Sequence, residues 1–81
     1  MNEPTVTFDR VNQQDAELRR LLRSVYSSLK EKGYNPANQI VGYLLSEDPT
    51  YITTHNNARS IMSQIDRDDL LAALVRHFVE D

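Results

Sequence analysis

The chain has no cysteine and no tryptophan, and only two glycines, three prolines and two histidines among its 81 residues. The lack of cysteine excludes disulfides and thiolate metal sites, a composition suited to a reducing compartment. His55 and His77 are too few to build a histidine metal site without carboxylate help. No stretch approaches the ~20 apolar residues of a membrane span, and Met1-Asn-Glu-Pro does not open a signal peptide. Basic residues are in deficit: nine Lys and Arg face twelve Asp and Glu, for a net charge of −3. Nucleic-acid binders carry the opposite balance, because they release counterions from phosphate. From these absences the expectation is one small soluble cytoplasmic domain without cofactor, metal, membrane insertion or nucleic acid. At this length a chain buries only roughly 60% of its unfolded surface, so its stability margin is small.

What is present is concentrated in the run Lys30-Glu-Lys-Gly-Tyr-Asn-Pro-Ala-Asn-Gln-Ile-Val-Gly-Tyr-Leu-Leu. Gly33 suits the position just past a helix end, where positive φ is needed. Asn35 can cap the next helix, and Pro36 fits its first position, where a missing N–H is no loss. A helix stop and a helix start thus adjoin without a spacer, which specifies a rigid αα corner.

Periodicity supplies the remaining elements. Residues 1–14 lack a helical pattern and read as a flexible N-terminal tail, while 15–81 form the helical domain. The first helix is expected over Asp15–Lys32, with Leu18, Leu21, Leu22, Val25, Tyr26 and Leu29 on one stripe. The second runs from Pro36 to Leu45. Its Ile40, Val41, Tyr43, Leu44 and Leu45 leave no polar face in its second half, and Gly42 invites close approach of another backbone. Such a helix needs cover on all sides, so a homodimer with this helix near the interface is expected. Thr53 or Thr54 should cap a third helix bearing Ala58, Ile61, Met62 and Ile65. Asp66 should cap a fourth bearing Leu70, Leu71, Leu74, Val75 and Phe78. The fold class is therefore all-α, a compact four-helix domain.

Catalytic chemistry has little to stand on. There is no glycine-rich phosphate loop, no cysteine nucleophile and no paired-histidine spacing. Glu47-Asp48 precedes Pro49 and reads as turn chemistry. Arg59 and Arg67 flank the uncharged stretch Ser60 to Ile65, and an arginine bordering a run without acids suits a partner's carboxylate or a phosphate. Thr5 and Thr7 lie where a kinase could reach an extended segment. A small helix-turn-helix regulator is the competing reading, opposed by Asp66, Asp68 and Asp69 at the start of the last helix.

The stretch Glu31-Lys-Gly-Tyr-Asn-Pro-Ala-Asn-Gln-Ile-Val-Gly-Tyr-Leu-Leu-Ser, followed by Asp48-Pro-Thr-Tyr-Ile, Ala58-Arg59 and Arg67-Asp68, resembles the IreB/ReoM family of small Gram-positive regulators. The resemblance extends from Thr5 to about Phe78. It implies an all-helical homodimer with a mobile N-terminal tail, phosphorylated on a threonine by a transmembrane Ser/Thr kinase with PASTA domains and reset by the cognate phosphatase. Thr5 occupies the acceptor place and Thr7 is a weaker candidate. It further implies control of peptidoglycan synthesis and antibiotic tolerance. In one branch of the family, the unphosphorylated protein promotes degradation of the enolpyruvyl transferase MurA by ClpC–ClpP. Departures from the pattern are Thr54 and Ser63 where arginines are frequent, Glu47 in place of a common glycine, and Asn2 near a second phosphorylated threonine of some members.

Overall fold

The computed structural model describes the backbone of residues 3–80 and the side chains of residues 13–80. Four α-helices make up the fold: α1 (Glu3–Glu31), α2 (Pro36–Ser46), α3 (Ala58–Ser63) and α4 (Arg67–Glu80). Two short 3₁₀ turns, Pro49–Tyr51 and His55–Asn57, carry the chain from α2 into α3. No strand occurs among the described residues.

The αα corner forms by the chemistry its residues dictate. Gly33 takes φ of 86°. Its N–H bonds the Lys30 carbonyl at 3.0 Å, and the Tyr34 N–H bonds that of Leu29 at 3.1 Å, so the last carbonyls of α1 are satisfied. Asn35 Oδ1 then accepts the Asn38 N–H at 3.1 Å, and Pro36 opens α2.

The start of α1 departs from expectation. Its backbone is helical from Glu3, not from Asp15. Between Pro4, which a helix tolerates in its first turn, and Gly33 there is neither proline nor glycine, so nothing interrupts the helix despite the weak apolar pattern. The side chains of Thr5 and Thr7 lie outside the described residues.

The core gathers Val25 and Leu29 from α1, Ile40 from α2, Ile52 from the connection, Ala58 and Met62 from α3, then Ile65 and Leu70. Leu18, Leu21, Leu22, Tyr43, Leu44 and Ile61 pack around it. Burying each large side chain contributes roughly 1.5–3 kcal/mol. Ser28 is the buried polar residue, and no buried side-chain nitrogen or oxygen among the described residues lacks a partner.

Two expectations about α2 and α4 change. Gly42 does admit a close neighbour, but that neighbour is the Tyr51 ring of the same chain, not another backbone. The Tyr51 carbonyl in turn accepts from Gln39 Nε2 at 2.9 Å, which fastens the first 3₁₀ turn along α2. On α4, Leu70 and Ala73 are buried, whereas Leu71, Leu74, Val75 and Phe78 are exposed within one chain. The apolar stripe is present, but its outer half faces away from this core.

α4 is tied to α1 mainly by polar contacts. Asp15 accepts from Arg76 Nη2 at 2.7 Å and contacts His77 Nε2 at 3.0 Å, and Gln14 Nε2 donates to Asp69 at 3.0 Å. The hydrogen bond from Arg76 is the main reason the Asp15 carboxyl sits below its usual pKa; the His77 contact adds to it and partial burial opposes it.

Candidate functional site

Arg59 and Arg67, singled out as partner-binding residues, come from different helices, and both reach back to the stretch from the end of α2 to Ile52. α2 ends at Glu47, which adopts the left-handed conformation (φ 61°) and returns its N–H to the Tyr43 carbonyl at 2.7 Å. A non-glycine residue there bears a steric cost of roughly 1–2 kcal/mol. From the first position of α4, Arg67 reaches back over this turn. Its Nη1 donates to the Leu44 carbonyl at 2.7 Å and its Nη2 to Glu47 Oε2 at 2.6 Å. Arg67 thus neutralises the negative end of α2 and holds Glu47 in place.

Asp48 caps the next turn, accepting from the Thr50 N–H at 3.0 Å and the Thr50 hydroxyl at 2.7 Å. The Thr50 hydroxyl is the main reason its carboxyl is held below the usual range, with the Thr50 backbone N–H second and the positive charge of Arg59 also contributing. Arg59 Nε donates to the Ile52 carbonyl at 2.9 Å from the first turn of α3. Its terminal N–H groups have no hydrogen-bond partner among the described residues, and the side chain is half-buried with its head oriented by that one bond. A guanidinium so fixed can take a carboxylate or phosphate in a two-pronged contact with little further ordering. Thr54 is exposed, and Ser63 is exposed and donates its hydroxyl to the Ser60 carbonyl at 2.7 Å.

The helix-two set divides. Ile40 is core, Tyr43 and Leu44 are half-buried, Gly42 lies under Tyr51, and Val41 and Leu45 are 52% and 83% exposed. Both histidines meet carboxylates on α1. His55 Nε2 contacts Glu31 Oε1 at 2.8 Å, joined by Asn56 Nδ2 at 3.2 Å. Among the described residues no group of three or more His, Cys, Asp or Glu is placed to hold a metal ion, and no helix is long and apolar enough to cross a membrane.

Sequence reasoning missed Glu47 as the mate of Arg67, and the left-handed pair Asn56 (φ 54°) and Asn57 (φ 61°) that delays α3 to Ala58. The signal for the second was the Asn-Asn doublet itself, since asparagine tolerates positive φ better than other side chains do. Neither threonine caps a helix there; Thr53 Oγ1 instead accepts the His55 N–H at 3.2 Å.

The Arg67 contacts have a measurable consequence. Arg67→Ala should lose about 1–2 kcal/mol, since two charge-assisted hydrogen bonds disappear from a site that is only partly shielded from water. Glu47→Gly should stay within about 1 kcal/mol of wild type, because relief of the left-handed cost offsets the lost ion pair. Urea unfolding midpoints of the two variants, read side by side, check this; equal losses would show that Arg67 does not anchor the end of α2.

The described residues define a small all-α protein of four helices. The family model described as "IreB regulatory phosphoprotein" matches residues 3–80, and the chain belongs to that family. Among its relatives is a UPF0297 protein of Acetivibrio thermocellus, 52% identical over 80 residues, covering 99% of this chain and 89% of the relative. Another UPF0297 protein, from Ruminiclostridium cellulolyticum, is 49% identical over 77 residues, covering 95% and 88% respectively.

Proposed function

We propose that this chain is a non-enzymatic cytoplasmic regulator of peptidoglycan synthesis, switched by phosphorylation of Thr5. The observation that carries the reading is membership, over residues 3–80, of a family described as regulatory phosphoproteins. The kinase is of the PASTA-domain Ser/Thr type, opposed by its phosphatase, and the downstream step is ClpC–ClpP-dependent degradation of MurA. Two copies pair, with α2 near the interface; its exposed Val41 and Leu45 supply apolar surface for that contact. A monomer by sedimentation equilibrium at high micromolar concentration would remove the pairing from the scheme.

Arg59 supplies the partner-facing charge, and Arg67, held on the Leu44 carbonyl and Glu47, becomes available to a partner only by exchanging those contacts. One phosphate on Thr5 adds ≈ −1.5 to −2 charges, taking the chain from −3 to roughly −5. That is enough to compete for these arginines or to repel an acidic partner, with about a tenfold change in affinity or more. A helix-turn-helix use of α3 and α4 is disfavoured by Asp68 and Asp69 in the first turn of α4 and by Arg67, which is turned back onto α2.

The test is capture of partners from the host by wild type, Thr5→Ala and Thr5→Glu, with phosphosites mapped by mass spectrometry. Cell-wall enzymes or protease subunits should be enriched by Thr5→Ala and depleted by Thr5→Glu, with phosphate on Thr5 in the wild type. Identical captures would sink the switch, and phosphate on Thr7 alone would move the acceptor.

A further inference from the structure

The six arginines among residues 13–80 are not equally engaged. Arg20 pairs with Glu17, Arg59 bonds the Ile52 carbonyl, Arg67 holds Leu44 and Glu47, and Arg76 holds Asp15. Arg19 and Arg23 have no ion pair or hydrogen bond among the described residues, and both are exposed. They stand one turn apart on α1, a like-charge spacing that an isolated helix disfavours. Both line the same groove, a cleft of about 260 Å³ between α1 and α4. Its walls are apolar, with Leu18 and Leu22 on one side and Leu70, Ala73 and Leu74 on the other. The acid at its edge, Asp15, is already matched by Arg76 and His77. An acidic protein therefore carries an apolar slot whose rim is positive.

We propose that this α1–α4 groove docks an amphipathic acidic helix of a partner protein, with an apolar anchor in the slot and two carboxylates one turn apart on Arg19 and Arg23. Two helices lying side by side leave the seat for a third, the arrangement of helix-in-groove recognition. Carboxylates four residues apart on the incoming helix repeat the ~6 Å axial spacing of the arginines. A second copy of this chain does not supply that pattern. α2 carries no charged residue, α3 no acid, and the acids within α1 (Glu3, Asp9, Asp15, Glu17, Glu31) and α4 (Asp68, Asp69, Glu80) are never three or four residues apart; Asp66 and Asp69 are three apart, but Asp66 accepts the Asp69 N–H at 3.1 Å as the cap of α4 and Asp69 accepts from Gln14. The inference rests on reading the chain as a regulator that acts by contact, but it uses neither Thr5 nor Arg59 and Arg67, so the two can fail separately.

The probe is a synthetic helical peptide of about 18 residues, long enough to hold a helix, with leucines on one face and glutamates one turn apart beside them. Two controls replace its glutamates by glutamine or by lysine. Binding to the full chain is read by fluorescence anisotropy, and its location by methyl NMR shifts of Leu70, Ala73 and Leu74. The glutamate peptide should bind in a salt-sensitive manner and move those methyls, with the glutamine peptide roughly tenfold weaker. Arg19→Ala with Arg23→Ala should reduce the first peptide to the level of the second; neither residue has a partner among the described residues, so circular dichroism should be unchanged. Equal binding of all three peptides, or shifts confined to other residues, would overturn the proposal. So would groove methyls that move with the protein's own concentration in the absence of peptide, since a second copy would then fill the site.

Discussion

Leu29→Ala should cost about 3 kcal/mol and lower the melting temperature by roughly 15 °C. Leu29 is 0% exposed and sits where α1 meets α2 and α3, amid Val25, Ile40, Ile52, Ala58 and Met62. Removing three carbons there loses their transfer free energy and leaves a cavity, which places Leu→Ala in the range of 2–5 kcal/mol. Domains of this size have stabilities of roughly 5–10 kcal/mol, and each kcal/mol moves the midpoint by about 4–8 °C. Leu45→Ala, at an 83% exposed position on α2, should change stability by less than about 0.5 kcal/mol in the dilute single chain. Thermal or urea unfolding of the pair at low concentration decides the matter: similar losses would mean that the core is not centred on Leu29. Repeating the measurement at high concentration adds a second use, since a larger loss for Leu45→Ala there would report pairing through α2.

Gly42→Val is the second large effect, at about 2–3 kcal/mol of destabilisation. A glycine in the middle of a helix normally costs roughly 1 kcal/mol relative to alanine, so a stabilising replacement would be the naive forecast. The Tyr51 ring occupies the space where a side chain at residue 42 would begin. Adding a branched side chain forces the ring away. That movement pulls on the Gln39–Tyr51 hydrogen bond and on Ile52, which is 0% exposed in the core next to it. The control is the same substitution in a Tyr51→Ala background. There Gly42→Val should be nearly neutral, giving a coupling energy of about 2 kcal/mol. No coupling would show that the ring does not pack on Gly42.

Much of the fold was legible because local chemistry decided it. The corner at Gly33, Asn35 and Pro36 needs only adjacent residues, and the stripes of α1 and α4 need only helical spacing. The extent of α1 was misjudged because weak apolar periodicity is not a stop signal; only Gly33, thirty residues beyond Glu3, supplies one. The site was less legible. Arg67 was visible as the arginine closing an uncharged stretch, with Asp66 and Asp68 beside it, but its mate is Glu47, twenty residues earlier in the chain, and sequence spacing gives no hint of that pairing. Gly42 was correctly marked as a place of close approach, yet which group approaches depends on how the Pro49–Tyr51 turn folds back, a tertiary matter. The engagement of four arginines and not of Arg19 or Arg23 is likewise a property of the assembled chain.

The brevity of α3 bears on how the protein can be controlled. Six residues cannot hold a helix in water on their own, because nucleation outweighs so few hydrogen bonds. Ala58 and Met62 exist in helical form only while they are pressed into the core, and Arg59 rides between them. The orientation of that guanidinium is therefore on loan from the tertiary structure: whatever grips it raises the melting point, and whatever loosens the domain sets that side chain adrift at the same moment.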